Sequence, residues 1–432
     1  MSNEVKSQTS RSKEEISAID QRRFTCVDLF AGCGGLSLGL AYAGWEGLFA
    51  IERDPMAFET FSNNFLQPEA PYRGFERWPA WLPKKNQDLV TLLQDDLERK
   101  NLASMQGKVS LVAGGPPCQG FSVGGSRDGA DERNNLVFQM LDLISLVRPE
   151  AVLIENVEGI MRKFVARPGA ESASAAEGVM NELEKLGYTS VLKVLDATLF
   201  GVPQTRRRVV IIGLRETDLN QVSLRKQLGE LITEAGLRVR GQWGLPLTSN
   251  TSARQAIDDL AGGQIVQCPD SPKFSSSFYG RAASAYARAM RRGARAGTVP
   301  DSHRYSKHGE RISKLYELAH RTQPPGRLKK SFLLENNTKK DKKVLIDPTC
   351  PVSTITTHPD EFIHYKEPRN ITVREMARFQ SFPDDFHFFG RYTINGPRRK
   401  YDVARCSQVG NAVPPLMAQG VGLALLELLK SA

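Results

Sequence analysis

The first half of the chain alternates between short apolar runs and longer amphipathic stretches. The apolar runs are typical of buried strands, and the amphipathic stretches have the spacing of helices with one apolar face. The predicted strands cover residues 24–30, 45–51, 109–113, 151–154, 188–195 and 208–214. The predicted helices cover residues 36–43, 55–64, 134–147 and 172–186. Strands and helices that alternate through short links predict an α/β fold with a doubly wound, mostly parallel sheet.

This regular alternation ends near residue 215. The segment 216–366 is rich in Ser, Arg, Lys and Gly without a sustained period, which predicts a separate, loop-rich domain. Helical spacing returns at 372–381 and again at 415–429, where the last turns are strongly apolar. We therefore predict four parts. They are a polar tail (1–23), an α/β core (24–215), an inserted domain (216–366) and a C-terminal part (367–432) whose last helix returns to the core.

Composition and apolar run length narrow the class of protein. The 432 residues are 40% hydrophobic and 25% charged, which excludes disorder as the main state. We find neither a run of ~18 apolar residues nor a signal-peptide pattern, so we expect a cytoplasmic protein without a membrane span. The six cysteines show no C-x-x-C spacing, which argues against a zinc site or a disulfide framework.

Positive charge is concentrated in the predicted inserted domain. The chain has a net charge of +10, and residues 281–343 contain 17 basic and 5 acidic side chains, or +12. An ordinary solvated face mixes both signs, whereas such a regional excess favours a polyanionic partner. The phosphate backbone of a nucleic acid is the obvious one.

A glycine-rich turn follows the first predicted strand in DLFAGCGGLSLGL, which begins at Asp28. Such a turn lets a ligand approach the backbone, and Glu52, at the end of the next strand, could accept both hydroxyls of a ribose. Gly32 and Gly34 fit the first two glycines of a dinucleotide fingerprint, but Ser37 occupies the third position. This favours a nucleoside cofactor without a diphosphate, of which S-adenosylmethionine is the common one.

Three further motifs carry groups suited to chemistry. Cys118 lies in GGPPCQGFS after a predicted strand, where a positioned thiolate is a plausible nucleophile, although a lone cysteine is by default an inert buried thiol. Glu155 ends the apolar strand of LIENVEGI, and a carboxylate at a sheet end is costly unless it is paired or functional. In QTRRR, strand alternation sends Arg206 and Arg208 to the same side, although adjacent arginines are often only a solvated edge.

In this order the motifs resemble those of the DNA cytosine-5 methyltransferases of bacterial restriction-modification systems. TVREMARFQSFPDDF, which begins at Thr372, and QVGNAVPP, which begins at Gln408, are similar to the two C-terminal signatures of that family. The resemblance covers residues 24–213 and 370–422. It implies a Rossmann-like core that binds S-adenosylmethionine, with the inserted domain as the target-recognition domain.

The resemblance also implies roles for individual residues. Cys118 would be the nucleophile that adds to carbon six of cytosine, and Glu155 would contact ring nitrogen three and the exocyclic amine. Arg206 and Arg208 would hold the pyrimidine oxygen and the catalytic loop. The residues expected at the substrate DNA are Gln119, Ser122, Asn156 and Gln204. Those expected around the cofactor are Phe30, Ala31, Gly32, Gly34, Gly35, Glu52, Asp96, Pro117, Asn411 and Val413.

Two positions depart from the family pattern. Arg53 stands where some relatives have an aromatic residue that stacks on adenine, and the Asp95–Asp96 pair leaves the adenine contact ambiguous by one residue. Neither departure affects the groups that would react with the base.

A base in a duplex is inaccessible to a thiolate, so such an enzyme must flip the cytosine, and the glycine-rich loop 120–134 suits a lid over it. We expect a monomer that binds double-stranded DNA in the nucleoid and needs no metal. The sequence leaves open whether a restriction endonuclease is paired with it. Two alternatives remain. One is a tRNA cytosine-5 methyltransferase, although its insert should be smaller; the other is a catalytically inactive DNA-binding relative, although decay should have removed Cys118 or Glu155 first.

Overall fold

The computed structural model describes residues 23–117, 136–163, 174–338, 342–393 and 402–431. Three predicted site residues, Cys118, Gln119 and Ser122, lie outside the described residues. So does the predicted lid at 120–134.

The centre of the fold is a six-stranded sheet. Its strands are β1 (Thr25–Leu29), β2 (Glu46–Ile51), β3 (Leu111–Gly114), β4 (Ala151–Asn156), β5 (Tyr188–Asp196) and β7 (Arg207–Arg215). The two-residue strand β6 (Gln204–Thr205) precedes β7 and lies outside this sheet. The strand order is β2-β1-β3-β4-β7-β5. The first four strands run parallel, and β7 is antiparallel to both of its neighbours. The predicted α/β fold with a mostly parallel sheet is thus confirmed.

Helices cover both faces of this sheet. Along β4 successive residues belong to different hydrophobic clusters, so that Leu153 faces one side of the sheet and Ile154 the other. Such two-sided burial explains why these strands are continuous apolar runs. The helices of this half are α1 (Gly35–Ala43), α2 (Pro55–Phe65), α3 (Leu89–Gln94), α4 (Asp96–Ala103), α5 (Leu136–Val147) and α6 (Ala175–Lys185).

A 22-residue helix, α7 (Gln221–Gln242), occupies the start of the predicted loop-rich segment and was not predicted. It buries Leu224, Leu228 and Ile232, which join the main core cluster. It also packs against β5 and against the last helix, α14 (Pro415–Ser431). Glycines at 229, 236 and 241 lower its intrinsic helix propensity, so the helix depends on this packing.

The remaining elements of the second half are short. The helices are α8 (Ala253–Ile257), α9 (Ala285–Arg291), α10 (Glu310–Thr322), α11 (Lys330–Glu335), α12 (Val373–Phe379) and α13 (Arg405–Asn411). The strands are β8 (Ile265–Gln267), β9 (Ser275–Ser277), β10 (Gly326–Arg327), β11 (Val344–Leu345), β12 (Val352–Ser353) and β13 (Phe362–Ile363). Around α10 and α11 a small separate core includes Leu315, Tyr316 and Phe332. Predominantly short elements agree with the loop-rich pattern of this part of the sequence.

The C-terminal stretch Arg405–Ser431 is long and apolar enough to cross a membrane, with a mean hydropathy of 1.5. However, 83% of its apolar window is buried inside the protein. Because α14 packs against both α1 and α7, we assign it as a core helix that returns to the α/β core.

Two buried histidines join the middle region to the segment around α12. The ring of His303 bonds Thr372 Oγ1 through Nδ1 and the Leu260 carbonyl through Nε2, both at 2.9 Å. His364 Nδ1 accepts the backbone N–H groups of Lys366 and Glu367 at 3.0 and 3.1 Å. Burial lowers the pKa of both rings to about 4, so both are neutral at pH 7.

This burial predicts a loss of stability in mild acid. Between about pH 6.5 and pH 4 the unfolded chain binds protons at these histidines and the folded protein does not. The stabilisation that comes from their neutral form is therefore fully present above pH 6.5 and is lost as the pH falls. We expect the free energy of unfolding to fall by about 3 kcal/mol for each histidine. Urea unfolding at pH 7, 5.5 and 4.5 measures it. His303→Gln should flatten the slope. A slope in His303→Gln equal to that of the wild type would contradict this assignment.

Candidate active site

The carboxyl ends of β1 and β2 form a cradle around the glycine turn. Phe30, Gly32 and Gly34 all have positive φ angles, of 59°, 56° and 100°. A Cβ on Gly34 would collide with the Phe65 ring, which explains a glycine there. A Cβ on Gly32 would instead meet no atom within 4 Å, so its backbone faces open space. Ala31 is buried and donates its N–H to the Ile51 carbonyl at 3.0 Å, which fixes the turn to β2.

Glu52, directly after β2, binds the backbone of the glycine turn. Its carboxylate accepts the Gly32 N–H at 2.9 Å and the Asp54 N–H at 2.6 Å. Burial raises the pKa of Glu52, and the two backbone N–H groups oppose that rise. Since each oxygen accepts only one of these bonds, both keep a lone pair for a further donor. The side chain is therefore fixed in place and still able to bind a hydroxyl group.

The C-terminal GNAV segment, residues 410–413, closes the other side of the turn. A Cβ on Gly35 would overlap the carbonyl oxygen of Val413, so this approach requires a glycine. Val413 is partly exposed and Asn411 is exposed. The two segments are distant in sequence, and the fold brings them into contact.

The structure distinguishes the two adjacent aspartates at the start of α4. Asp95 caps α4, because its Oδ1 accepts the N–H groups of Leu97 and Glu98 at 2.9 and 3.0 Å. Asp96, in the first turn of α4, is exposed. Asp95 Oδ1 is thus used in capping, whereas no capping bond among the described residues involves the Asp96 carboxylate.

At the end of β4, the fold brings together Glu155 and Arg208. Arg208 Nε lies 3.1 Å from Glu155 Oε1, and only 12% of each side chain is exposed. The two strands are antiparallel neighbours, with Glu155 opposite Val210. Alternation along β7 then places Arg208 on the same face as Val210, beside the carboxylate. Two predicted site residues, a carboxylate and a guanidinium, thus form a shielded ion pair at the carboxyl end of β4.

The chain that leads to Cys118 is anchored next to this pair. Asn156 is buried, and its Nδ2 donates to the Pro116 carbonyl at 3.1 Å. A Cβ on Gly115 would lie 3.3 Å from Glu155 Oε2, so the loop passes close to the carboxylate. Pro117, the last described residue of the loop, is exposed.

Gln204 and Arg206 lie in the interior instead. Gln204 Nε2 donates to Gln380 Oε1 and to the Phe379 carbonyl at 2.8 and 3.1 Å, and its Oε1 accepts the Ile355 N–H at 2.8 Å. Its side chain is fully buried, so a contact with DNA is not supported by this geometry.

Arg206 is buried in the same way. It donates to the backbone carbonyls of Ile355, Gly410 and Ala412 at 3.1–3.3 Å, and burial lowers its pKa. We therefore correct its expected contact with the pyrimidine: in this structure Arg206 braces the GNAV segment.

Comparison with known proteins identifies the family. The model of the C-5 cytosine-specific DNA methylase family matches residues 24–427. The chain belongs to this family. It is 30% identical over 413 residues to the Type II methyltransferase M.DdeI of Desulfomicrobium norvegicum, covering 91% of this chain and 86% of the relative. It is also 30% identical over 411 residues to the Type II methyltransferase M1.HphI of Haemophilus parahaemolyticus, covering 94% and 87%.

A solved structure agrees in fold. The DNA modification methyltransferase encoded within an Escherichia coli prophage superposes with a TM-score of 0.61 at 23% identity, over 94% of this chain and 99% of the other. The predicted family resemblance and enzyme class are confirmed: the protein is a DNA cytosine-5 methyltransferase. Enzymes of this family depend on S-adenosylmethionine. The open backbone at Gly32, the free lone pairs of Glu52 and the adjoining GNAV segment of this methyltransferase fit that cofactor.

Two buried polar groups next to the site of the methyltransferase were not predicted from the sequence. Asp28 is buried below the glycine turn, where its Oδ2 accepts the Ser37 hydroxyl at 2.6 Å, and burial raises its pKa to about 7. This bond explains the serine at the third fingerprint position, which could have been the signal. The second is Gln380, which joins Gln204 to the Val409 carbonyl at 2.8 Å and gives no local sequence signal.

The contact between Gly35 and the GNAV segment predicts a cofactor-binding defect. In Gly35→Ala the new methyl group overlaps a backbone carbonyl, which costs about 1–3 kcal/mol. We expect S-adenosylmethionine affinity to fall by about tenfold. Calorimetric titration and thermal unfolding measure these effects. Gly178→Ala in α6 is the matched control, since its Cβ would meet nothing within 4 Å. Equal behaviour of the two variants would refute the packing argument.

Proposed function

We propose that this enzyme transfers a methyl group to carbon five of a cytosine flipped out of duplex DNA at one short sequence, through a covalent bond to Cys118. The observation that carries this proposal is the shielded Glu155–Arg208 pair beside the anchored loop that leads to Cys118. A carboxyl group and a nucleophile presented at one sheet edge are what addition to a pyrimidine ring requires.

In the proposed mechanism Cys118 acts first. Its thiolate forms a bond to carbon six, and the electrons of the ring double bond make carbon five nucleophilic. Glu155 shares a proton with ring nitrogen three, which offsets the negative charge that develops during addition. Arg208 holds Glu155 in position through their ion pair. Once carbon five carries the new methyl group, it loses its hydrogen as a proton, and expulsion of Cys118 restores the aromatic ring.

Several residues would hold the cofactor, which supplies the methyl group as an electrophile on a sulfonium sulfur. Glu52 would accept the ribose hydroxyls, and Asp96 would bind the adenine amine. The open backbone at Gly32 and the exposed edge formed by Asn411 and Val413 would enclose the rest, together with Phe30 and Pro117. Arg206 would act as a positioning residue that holds the GNAV segment against the turn, and Gln204 would support it through Gln380, which donates to the Ala412 carbonyl.

We propose the middle region as the target-recognition domain, with its DNA-facing part after α7. The helix α7 packs on the catalytic core, whereas the basic residues of 281–343 follow it. Lysines and arginines there would bind phosphates, and a few side chains would read bases in the major groove. Base flipping would bring the target cytosine to the sheet edge.

A role in restriction and modification is supported by the relatives, which are named Type II methyltransferases. The same names and the large basic region favour DNA over tRNA as the substrate. We further propose a cytoplasmic monomer with a cognate endonuclease, since one flipped base needs one active site.

The experiment is transfer of labelled methyl from S-adenosylmethionine to unmethylated duplex DNA of mixed sequence, with a tRNA pool in parallel. Bisulfite sequencing of the DNA then locates the modified base. We expect label on cytosines within one short duplex motif. Label on tRNA alone would move the enzyme to an RNA substrate, and no label with intact cofactor binding would indicate an inactive relative.

A further inference from the structure

Arg304 is held rigidly between two aromatic rings in the middle region. Its guanidinium carbon lies 4.1 Å from the centroid of Phe274 and 4.0 Å from that of Tyr392. Guanidinium groups stack on aromatic faces in this way, with their N–H groups pointing outward from the edge of the stack. The stack therefore fixes the plane of the Arg304 side chain and leaves its edge available.

The backbone around Arg304 is fixed as well. The preceding residue, His303, is buried and bonded on both ring nitrogens. The following residue, Tyr305, donates its backbone N–H to the Ser275 carbonyl and its hydroxyl to Ser277 Oγ, both at 2.8 Å. Since both neighbours are anchored, Arg304 loses little conformational entropy when it binds a ligand.

The other shielded arginines nearby have carboxylate partners. The pairs are Arg291 with Asp259, Arg369 with Glu375, Arg374 with Asp301, Arg378 with Asp384 and Arg405 with Asp270. Within the described residues Arg304 has neither a hydrogen bond nor an ion pair. None of the buried, unpartnered nitrogens of the described chain belongs to Arg304 either, so its donors reach solvent.

The surroundings of the stack are positive. Asp270 is the nearby carboxylate, but it already accepts from Arg405 at 2.7 Å and from the Tyr392 hydroxyl at 2.8 Å. Lys307 lies 5.5 Å from the Phe274 centroid, and Lys273 is exposed beside that ring in sequence. The guanidinium N–H groups of Arg304 thus have no acceptor among the described residues, and the charge around them is positive.

We propose that Arg304 binds DNA directly, its guanidinium donating two parallel hydrogen bonds to a planar pair of acceptors. This pair is either two phosphate oxygens or O6 and N7 of a guanine, which present the same chemistry to the fork. The inference rests on the proposed DNA substrate and assigns one residue of its recognition. Arg311 and Arg327 do not show this arrangement: Arg311 is exposed and donates to the Asn337 carbonyl, and Arg327 lies in the short strand β10.

The test compares Arg304→Met and Arg304→Lys with the wild type and with Arg238→Met. Arg238 is a matched control because it is exposed on α7, far in sequence from the stack, and pairs only weakly with Glu427 at 3.7 Å. DNA dissociation constants are measured at several salt concentrations on target and scrambled duplexes. Bisulfite sequencing of a randomised pool reports sequence preference.

We expect Arg304→Met to weaken target binding by about tenfold or more, with Arg304→Lys intermediate because it keeps the charge but lacks the fork. A phosphate contact would weaken binding to all sequences and lower the salt slope by about one. A guanine contact would weaken binding to the target alone and relax the methylated sequence at one position. Either result supports the proposal.

The proposal is overturned if Arg304→Met matches Arg238→Met in affinity, salt slope and sequence preference. It is also overturned if thermal stability falls while DNA affinity and salt slope stay at wild-type values, since that is a structural role. Should Arg304→Met fail to fold, Arg304→Lys decides the question by the same measures. Methylation of DNA by the wild type is scored separately, so failure of this inference is distinct from failure of the proposed function.

Discussion

Cys118→Ser is expected to abolish methyl transfer while DNA and cofactor binding remain close to wild type. A serine hydroxyl has nearly the same shape as a thiol but is far less ionised, so it cannot add to carbon six. We expect the rate to fall by more than about 10³-fold. Labelled methyl transfer measures the rate, and titrations with duplex DNA and S-adenosylmethionine measure the two affinities.

The control for this substitution is Cys350→Ser. Cys350 is an exposed thiol of the middle region, so the same chemical change there should leave the rate unchanged. A second readout uses duplex DNA whose target carries fluorine at carbon five, because fluorine cannot leave as a proton and the adduct should persist. The wild type should form a denaturation-resistant complex and Cys118→Ser should not. Loss of both binding activities in Cys118→Ser would instead make Cys118 a structural residue.

The parts of the fold that were predictable depend on local patterns. β1 and β4 are apolar runs with clear ends, and a glycine turn follows β1 directly, so the strand, the turn and α1 follow from short-range sequence. The Glu155–Arg208 pair was not predicted, because it depends on β7 lying antiparallel beside β4, which no local pattern in either strand indicates.

Long-range packing explains what was missed. The helix α7 contains three glycines, which weaken its local helical signal. Its apolar side chains are buried against β5 and α14, which lie elsewhere in the chain. Gln204 bonds residues 151 to 176 positions away, so no local pattern reveals that its side chain is buried. Its polarity and its position beside three arginines suggested exposure instead. The QTRRR motif therefore singled out Gln204 and Arg206 but did not predict that their side chains are buried.

Glu155→Gln is expected to lower the rate of methyl transfer by about 10²–10⁴-fold. Glutamine keeps the shape of the side chain but cannot share a proton with ring nitrogen three. It also leaves Arg208 without its carboxylate partner in a site where only 12% of each side chain is exposed. We expect this loss to cost about 1–3 kcal/mol of stability, less than for a fully buried pair because some water remains. Single-turnover methyl transfer and urea unfolding separate the two effects.

The matched control is Asp142→Asn, which breaks the Arg99–Asp142 pair at 2.7 Å, where about a third of each side chain is exposed. It should change stability slightly and the rate not at all. In Glu155→Gln/Arg208→Met the unpaired charge is removed, so stability should recover while the rate stays low. If the rate recovered together with stability, the contribution of Glu155 would lie in maintaining the structure around Arg208, and the proposed proton at ring nitrogen three would have to be assigned to another group.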